Sequence, residues 1–335
     1  MSILVTGAAG YIGSILTEKL IKEGYTVIAV DNLTKGHREA VVPQALFIQA
    51  DLADTAALNQ IFIDNNIDAV MHLAASSLVG ESVTNPALYF RTNTLYGINL
   101  LEAMHRHKVN KLIFSSTAAV YGEPEGIPVK EDNQTTPTNP YGESKLMFEK
   151  ILKWYGTAYG LKHISLRYFN AAGASELLGE DHHPETHLIP NILKAALNKD
   201  KPVSVFGTDY PTKDGSCVRD YVHVADIAQA HILALKKIDA LNSGAYNLGN
   251  GEGFSVLEVV AIAKKVTGID IPVKLSPRRA GDPATLVASA DKAGRELGWR
   301  AQHPELEVII ESAWQWTRNH PRGYEGPLPS NGKQE

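Results

Sequence analysis

Cysteine and long apolar runs are the features that this sequence most plainly lacks. Cys217 is the single cysteine among 335 residues, so no disulfide can form within the chain and a reducing compartment is expected. No stretch approaches the roughly 18 to 20 consecutive apolar residues that cross a bilayer. The first residues carry no basic segment and read as a strand, which argues against a cleavable signal. These absences predict a cytoplasmic protein without a membrane segment.

An excess of one charge is also missing. The 32 basic and 37 acidic residues give a net charge of −5, and there is no polybasic run. A surface for nucleic acid or for anionic lipid is therefore not expected. With 44% apolar and 21% charged residues, the composition is that of a globular protein. A chain of this length can form two lobes around a large core.

Short apolar runs alternate with amphipathic segments through the first half of the chain. The runs read as buried parallel strands with helices between them: strands at Ile3–Val5, Val27–Val30, Leu46–Ile48, Val70–Leu73 and Leu112–Phe114, and helices at Tyr11–Glu23, Ala56–Asn65 and Pro86–His107. Asn85 and Asn139 each precede a proline, which predicts an N-cap followed by proline in the first turn. The alternation predicts an α/β fold with a doubly wound, parallel, Rossmann-type sheet.

The amino-acid composition changes after about Asn170, where the chain becomes rich in Gly, Glu, His and Pro. Such segments are typical of a lobe that grips a ligand. We predict a dinucleotide-binding domain at 1–170, with a returning segment at about 219–245. A smaller mixed α/β substrate lobe is predicted from 171–218 and 246–330.

The segment Thr6–Gly13 has glycines at 7, 10 and 13 between a strand and a helix. Such glycines let the backbone turn tightly and approach a pyrophosphate at a helix N-terminus. Asp31 ends the second strand, placed to accept a hydrogen bond from a ribose 2′-OH and to repel a 2′-phosphate. NAD is therefore favoured over NADP, although Lys35 and Arg38 lie nearby in the sequence. Asp51-Leu52 suits the adenine side, and Leu73-Ala74-Ala75 is small enough for close cofactor approach.

Tyr141 and Lys145 lie four residues apart on a predicted helix and so share a face. A tyrosine, with a pKa near 10, acts as a base at neutral pH when an adjacent ammonium and a positive nicotinamide ring stabilise its phenolate. Thr117 follows the fifth strand and can share a hydrogen bond with a substrate hydroxyl, although simple turn chemistry also explains a threonine there. These three residues are the candidate catalytic group.

These features resemble the extended short-chain dehydrogenase/reductase family from Ile3 to about Trp299. The segments that carry the resemblance are Thr6–Gly13, Val30–Leu33, Ser115–Gly122, Asn139–Lys145, Leu166–Asn170, Phe206–Thr212, Val218–His223 and Arg278–Asp282. The Phe-Gly-Thr-Asp-Tyr-Pro-Thr segment at 206–212 is particular to the nucleotide-sugar 4-epimerases of that family.

The resemblance implies reversible interconversion of UDP-glucose and UDP-galactose. Tyr141 would remove the proton of the sugar 4-OH while C4 passes a hydride to tightly held NAD⁺. The 4-keto sugar would then turn over and take the hydride on its other face. The resemblance also implies a homodimer formed through helices at 86–107 and 141–155.

The loop and the resemblance together give two sets of candidate contacts. The cofactor contacts are Gly7, Gly10, Tyr11, Ile12, Gly13, Asp31, Asn32, Asp51, Leu52, Leu73, Ala74, Ala75, Asn93, Tyr141, Lys145 and Phe169. The substrate contacts are Thr117, Asn170, His187, Leu188, Ser204, Val205, Phe206, Arg219, Arg279, Asp282 and Leu286. The two arginines suit a diphosphate, although surface or interlobe ion pairs would also explain them.

Two positions depart from the family pattern. Ser77 stands where many epimerases carry a lysine that contacts a cofactor phosphate. Leu286 stands where a bulky tyrosine often limits the sugar pocket, which predicts activity on N-acetylated sugars such as UDP-GlcNAc.

There are several alternatives to epimerisation at C4. A 4,6-dehydratase usually has Asp-Glu after the threonine, whereas Ala118-Ala119 here cannot transfer a proton. An epimerase for UDP-glucuronate and a non-catalytic NAD-sensing protein remain alternatives. Asp181, His182, His183 and His187 have the residue types of metal ligands but no settled helical spacing, so we expect a solvated loop and no metal.

Overall fold

The computed structural model describes residues 1–198, 202–279 and 282–325. Positions 280 and 281 of the Arg278–Asp282 segment, and the predicted end of the substrate lobe at 330, lie outside the described residues. Within the described ranges, no helix combines the length and apolarity that crossing a bilayer requires.

A seven-stranded sheet with all strands parallel forms the centre of the molecule. Its order is β3-β2-β1-β4-β5-β6-β11, so the winding direction reverses between β1 and β4. The strands are β1 (Ser2–Thr6), β2 (Thr26–Asp31), β3 (Leu46–Gln49), β4 (Ala69–His72), β5 (Lys111–Thr117), β6 (Lys162–Tyr168) and β11 (Gly244–Leu248). The prediction of a doubly wound parallel sheet is confirmed, and such sheets bind ligands where the order reverses.

Helices cover both faces of this sheet, which is why its strands are almost continuously apolar. Ile3 and Val5 pack into the layer beneath α1 and α8, whereas Leu4 packs into the opposite layer beneath α2, α5 and α6. The covering helices are α1 (Tyr11–Lys22), α2 (Thr55–Asp64), α3 (Val79–Thr84), α4 (Pro86–Tyr89), α5 (Tyr96–Arg106), α6 (Pro140–Tyr159) and α8 (Val224–Lys237).

The predicted helix at 86–107 is helical but irregular. A π-helical segment, Phe90–Leu95, lies between α4 and α5. Asn85 lies at the N-cap of α4 before Pro86, as expected, but its side chain makes no capping hydrogen bond. Asn139 does cap α6, since its Oδ1 accepts from the Gly142 N–H at 2.9 Å. That cap fixes where the Tyr141–Lys145 segment begins.

Smaller sheets and three helices follow the carboxyl ends of the central strands. The sheets pair β7 with β10, β8 with β13, and β9 with β12 and β14. The elements are β7 (Asn170–Ala172), α7 (Leu188–Leu197), β8 (Val203–Phe206), β9 (Val218–Arg219), β10 (Tyr221–His223), β12 (Phe254–Ser255), α9 (Val256–Thr267), β13 (Val273–Ser276), β14 (Thr285–Leu286) and α10 (Leu306–Asn319). Helices α7, α9 and α10 share a separate apolar core. The predicted domain boundaries stay predictions.

Candidate active site

A cavity of about 2060 Å³ lies at the carboxyl ends of β1, β2, β4, β5 and β6. Most of the candidate contacts line it: Gly7, Gly10, Tyr11, Ile12, Gly13, Asp31, Asn32, Asp51, Leu52, Leu73, Ala74, Ala75, Thr117, Tyr141, Lys145, Phe169, Asn170, His187, Leu188, Ser204, Phe206, Arg219, Arg279, Asp282 and Leu286. Ser77, the position of the missing lysine, also lines the cavity. The contact roles of these residues remain predictions.

Two candidate contacts lie behind the cavity wall. Val205 is buried against Tyr210 and Cys217. Asn93, in the π-helical segment, accepts from the Ser76 N–H at 2.8 Å and donates to Ser144 Oγ at 3.0 Å. Asn93 therefore ties α6 to the loop after β4 and shapes the wall from behind.

The glycine loop is tightly constrained at two of its three glycines. Gly7 has φ +71°, and a Cβ there would lie 2.6 Å from the Ala74 N atom. A Cβ at Gly13 would overlap the Gly7 carbonyl oxygen. Gly10 is different, because its nearest neighbour to an added Cβ is the Gly7 carbonyl oxygen at 3.4 Å. Gly10 is also the N-cap of α1 and has no side chain to cap it, so the first-turn N–H groups are available to an anion.

Asp31 is held at the end of β2 by backbone donors. Its carboxylate accepts from the Ala9 N–H at 3.0 Å and the Leu33 N–H at 2.9 Å. Burial raises the pKa of Asp31, and these hydrogen bonds act in the opposite direction. The nearby cations are occupied elsewhere, since Lys35 donates to the His183 carbonyl and Arg38 lies 4.5 Å above the Phe47 ring. This arrangement favours a ribose hydroxyl over a 2′-phosphate beside Asp31.

Helix α6 brings Lys145 against the end of β5. Its ammonium donates to the Ser115 carbonyl at 2.8 Å and lies 4.9 Å from the Phe114 ring centroid. Burial lowers the pKa of Lys145 to about 7. His72, at the end of β4, lies 2.7 Å from Thr6 through Nδ1, and burial together with the Lys145 charge lowers its pKa to about 3. His72 is therefore neutral at physiological pH.

Tyr141 and Thr117 face each other across the same edge of the cavity. The Thr117 oxygen accepts from the Ala119 N–H at 3.1 Å, so the proton of its own hydroxyl remains available to a phenolate at Tyr141. Burial raises the pKa of Tyr141, while the hydrogen bond from Thr117 lowers it. The phenol is consequently protonated at neutral pH in the protein alone. The lowering of its pKa that the sequence predicted therefore requires positive charge from outside the chain.

A buried ion pair behind this group was not predicted from the sequence. Arg167 on β6 binds Glu149 on α6 through Nε at 3.0 Å and Nη2 at 2.6 Å, and Ser116 Oγ donates to the same carboxylate at 2.6 Å. Glu149 lies four residues after Lys145, so helical spacing from the Tyr-Lys pair was the available signal. The pair fixes α6 against the ends of β5 and β6.

The two candidate substrate arginines are each held by protein groups. Arg219 donates through Nη1 to the Val218 and Pro283 carbonyls, both at 2.9 Å. Its Nη2 lies 3.6 Å from Asp282, so the expected alternative of an ion pair is present as well. Arg279 lies 4.0 Å above the Phe206 ring. These contacts fix the direction of both guanidinium groups beside the cavity.

The four candidate metal ligands, Asp181, His182, His183 and His187, fall into two groups according to the side chains that they contact. Asp181 contacts His183 at 3.4 Å and His37 at 3.5 Å. His182 and His187 instead meet Glu180, at 3.0 and 2.7 Å. Burial disfavours the charged forms of Glu180 and His187, but their attraction prevails, and it lowers the pKa of Glu180 to about 2 and raises that of His187 to about 10.

The glycine geometry predicts opposite effects for two substitutions. We expect Gly10→Ala to fold normally but to weaken NAD binding by at least about tenfold, or 1.4 kcal/mol, because its methyl group occupies the phosphate approach. Gly13→Ala should instead destabilise the protein by about 1 to 3 kcal/mol through overlap with Gly7. Thermal unfolding of cofactor-free protein and NAD titration measure the two effects. Unchanged NAD affinity in Gly10→Ala would contradict the assigned phosphate approach.

Known proteins resemble this chain over nearly its whole length. The sequence profile of the NAD dependent epimerase/dehydratase family matches residues 3–249. UDP-glucose 4-epimerase of Lacticaseibacillus casei is 53% identical over 327 residues, which cover 97% of this chain and 99% of that protein. A crystal structure of a UDP-glucose 4-epimerase superposes with a TM-score of 0.95 at 50% identity, covering 97% of this chain and 100% of the other.

A further solved structure carries ligands. The UDP-glucose 4-epimerase from Bifidobacterium longum, in complex with NAD⁺ and UDP, has a TM-score of 0.92 and 40% identity, over 96% of this chain and 100% of that one. The cavity and the glycine loop are consistent with these similarities. This chain belongs to the NAD dependent epimerase/dehydratase family.

Proposed function

We propose that this protein interconverts UDP-glucose and UDP-galactose by inverting the configuration at C4. The observation that carries the proposal is one cavity that joins a glycine loop, the Thr117–Tyr141 pair and two oriented arginines. The 53% identity to a UDP-glucose 4-epimerase supports the same substrate. The alternative of a non-catalytic NAD sensor has no need for a tyrosine directed at the sugar side of the cavity.

The residues around the loop fit NAD. The surface at Gly10 that an added Cβ would fill, together with the free first-turn N–H groups of α1, suits a pyrophosphate. The Asp31 carboxylate suits a ribose diol. When bound, NAD would supply the acceptor and then the donor of the hydride at C4 of the sugar, so the reaction needs no external oxidant.

Tyr141 is the group to which we assign transfer of the sugar 4-OH proton. Its phenolate accepts that proton, and the Thr117 hydroxyl stabilises the phenolate by donating to it. Lys145 is anchored to Ser115 and brings positive charge beneath the site. The proton returns from Tyr141 to the same oxygen after the sugar has presented its other face.

Rotation of the 4-keto sugar requires that the rest of the substrate stay in place. Arg219 and Arg279 offer two oriented cations to the diphosphate. A cavity of about 2060 Å³ leaves room for the sugar to turn while the nucleotide remains held. Fixed diphosphate and mobile hexose together account for inversion at a single carbon.

Tyr141 and Thr117 can be separated by their effects on the reaction. Tyr141→Phe should lower kcat by at least about 100-fold, the usual contribution of a positioned base. Thr117→Val should shift the ascending, low-pH limb of the kcat profile to higher pH by about one pH unit, because the phenolate loses a donor and the pKa of Tyr141 rises. Thr117→Ser keeps the hydroxyl and should leave the limb in place. An unmoved limb in Thr117→Val would show that Thr117 does not tune Tyr141.

Leu286 influences which sugars the cavity can accommodate. It lines the cavity and packs on the apolar cluster that contains Ala118, Tyr121 and Phe169. A leucine leaves more room there than a tyrosine, so we propose that UDP-GlcNAc is also turned over. An epimerase for UDP-glucuronate is the remaining alternative within the family.

Replacement of Leu286 tests this sugar breadth. Leu286→Tyr should reduce kcat/KM for UDP-GlcNAc by at least about tenfold while UDP-glucose is little affected, since the added ring fills the space of the acetamido group. Leu286→Met conserves volume and serves as the control. Failure of the native protein to act on UDP-GlcNAc would refute the proposed breadth. Turnover of UDP-glucuronate alone would favour the alternative.

We also propose a homodimer formed through the helical stretch at 86–107 and the part of α6 at 141–155. Trp154 is 71% exposed, and Met147, seven residues earlier on the same helix face, is exposed as well. Leu95, in the segment before α5, and Tyr159, at the end of α6, are exposed as well. A cytoplasmic location is proposed on the basis of the single buried thiol of Cys217.

Charge on this face should separate the subunits. We expect Trp154→Glu to halve the molar mass measured by light scattering, because a carboxylate would be buried against apolar side chains. Leu275 on β13 is 61% exposed away from this face, so Leu275→Glu is the matched control. A native protein that is monomeric at micromolar concentration would refute the dimer.

A further inference from the structure

Four potential metal ligands converge in the segment between β7 and α7. Glu180, His182, Glu185 and His187 each offer one oxygen or nitrogen, and these atoms all lie within 4.8 Å of one another. Glu180 Oε1 is 3.0 Å from His182 Nδ1 and 2.7 Å from His187 Nδ1. Glu185 lies 3.2 Å from His187 Nδ1 and 3.9 Å from His182 Nδ1. Four donor atoms this close to one another are within the reach of a single metal ion.

The two carboxylates are buried, and the histidines beside them satisfy them only in part. The side chain of Glu180 is 8% exposed and that of Glu185 is 5% exposed. Glu185 Oε1 accepts from the Thr186 and His187 N–H groups, both at 2.8 Å. Glu185 Oε2 is fully buried and has no hydrogen-bond partner within the described residues. Hydrogen bonding inside the cluster therefore leaves one buried anionic oxygen unsatisfied, which is costly.

We propose that these four side chains bind one divalent zinc ion. Two imidazole nitrogens and two carboxylate oxygens form a neutral set with Zn²⁺, and the ion supplies the partner that Glu185 Oε2 lacks. Imidazole ligands favour zinc over magnesium or calcium, which prefer all-oxygen sites. The four ligands have no helical spacing in the sequence, because they belong to a loop and come together only when that loop folds.

The ion would fix the loop at the cavity. All four residues line the cavity, and His187 directly precedes Leu188, the first residue of α7. Zinc would close 180–187 into a short ring and offset two negative charges beside the diphosphate site. That last effect rests on the proposed function, whereas zinc binding itself does not.

Zinc affinity can be measured on the full-length protein with its cofactor. After treatment with EDTA and dialysis, zinc is titrated in competition with a chromophoric chelator. We expect one zinc per chain, and a weakening by more than about 100-fold in both His182→Ala and Glu185→Gln, since even outer partners of ligands cost 10- to 100-fold. His183→Ala is the matched control, because this neighbouring histidine is 66% exposed and contacts Asp181 instead.

Cobalt gives a second readout that does not depend on a variant folding. Co²⁺ bound to the native protein should show the visible bands of a tetrahedral nitrogen and oxygen site, without the near-ultraviolet band of a thiolate, and excess Mg²⁺ should not displace it. Absence of stoichiometric zinc from the native protein would overturn the proposal. Equal zinc affinity in the native protein and both ligand variants, or a thiolate band from Cys217, would also overturn it. Each result is separable from epimerase activity.

Discussion

The junction between helix α6 and the end of strand β5 is the constraint on which the rest of the site depends. Asn139 sets the first turn of α6, and Lys145 ties its second turn to the Ser115 carbonyl. The Glu149–Arg167 pair holds the third turn against β6. These three contacts hold the first turns of α6 at this strand end, where Tyr141 lies beside Thr117. Geometry at one strand end thereby fixes the position of the base.

Electrostatics explains why we expect Tyr141 to act as a base only when the cofactor and the sugar are bound. Burial keeps the Tyr141 phenol protonated in the protein alone, and Thr117 offsets that effect in part. Lys145 is itself partly neutralised by burial. A positive nicotinamide ring would supply the missing charge when NAD⁺ is bound, so we expect proton removal from the sugar to depend on the oxidised cofactor. Coupling of this kind protects the substrate from reaction without a hydride acceptor.

Much of the fold was predictable because its signals are local. Parallel strands buried on both faces are apolar throughout, and the glycine spacing and the Asn139 cap act within a few residues. The π-helical segment and the role of Asn93 were not predictable, because packing against α6 decides them. Glu149 meets Arg167 through tertiary structure, although its helical spacing was a usable signal. The Glu180–His187 cluster depends on the path of a loop, which has no periodicity to read.

The proposed reaction depends on a hydride that leaves C4 and returns to it without exchange with solvent. The direct test is conversion of UDP-galactose labelled with deuterium at C4, in ordinary water and without added NAD. We predict that UDP-glucose forms with the deuterium retained at C4. Loss of the label to solvent would contradict the account, because it would mean that C4 is deprotonated and not oxidised by a held cofactor.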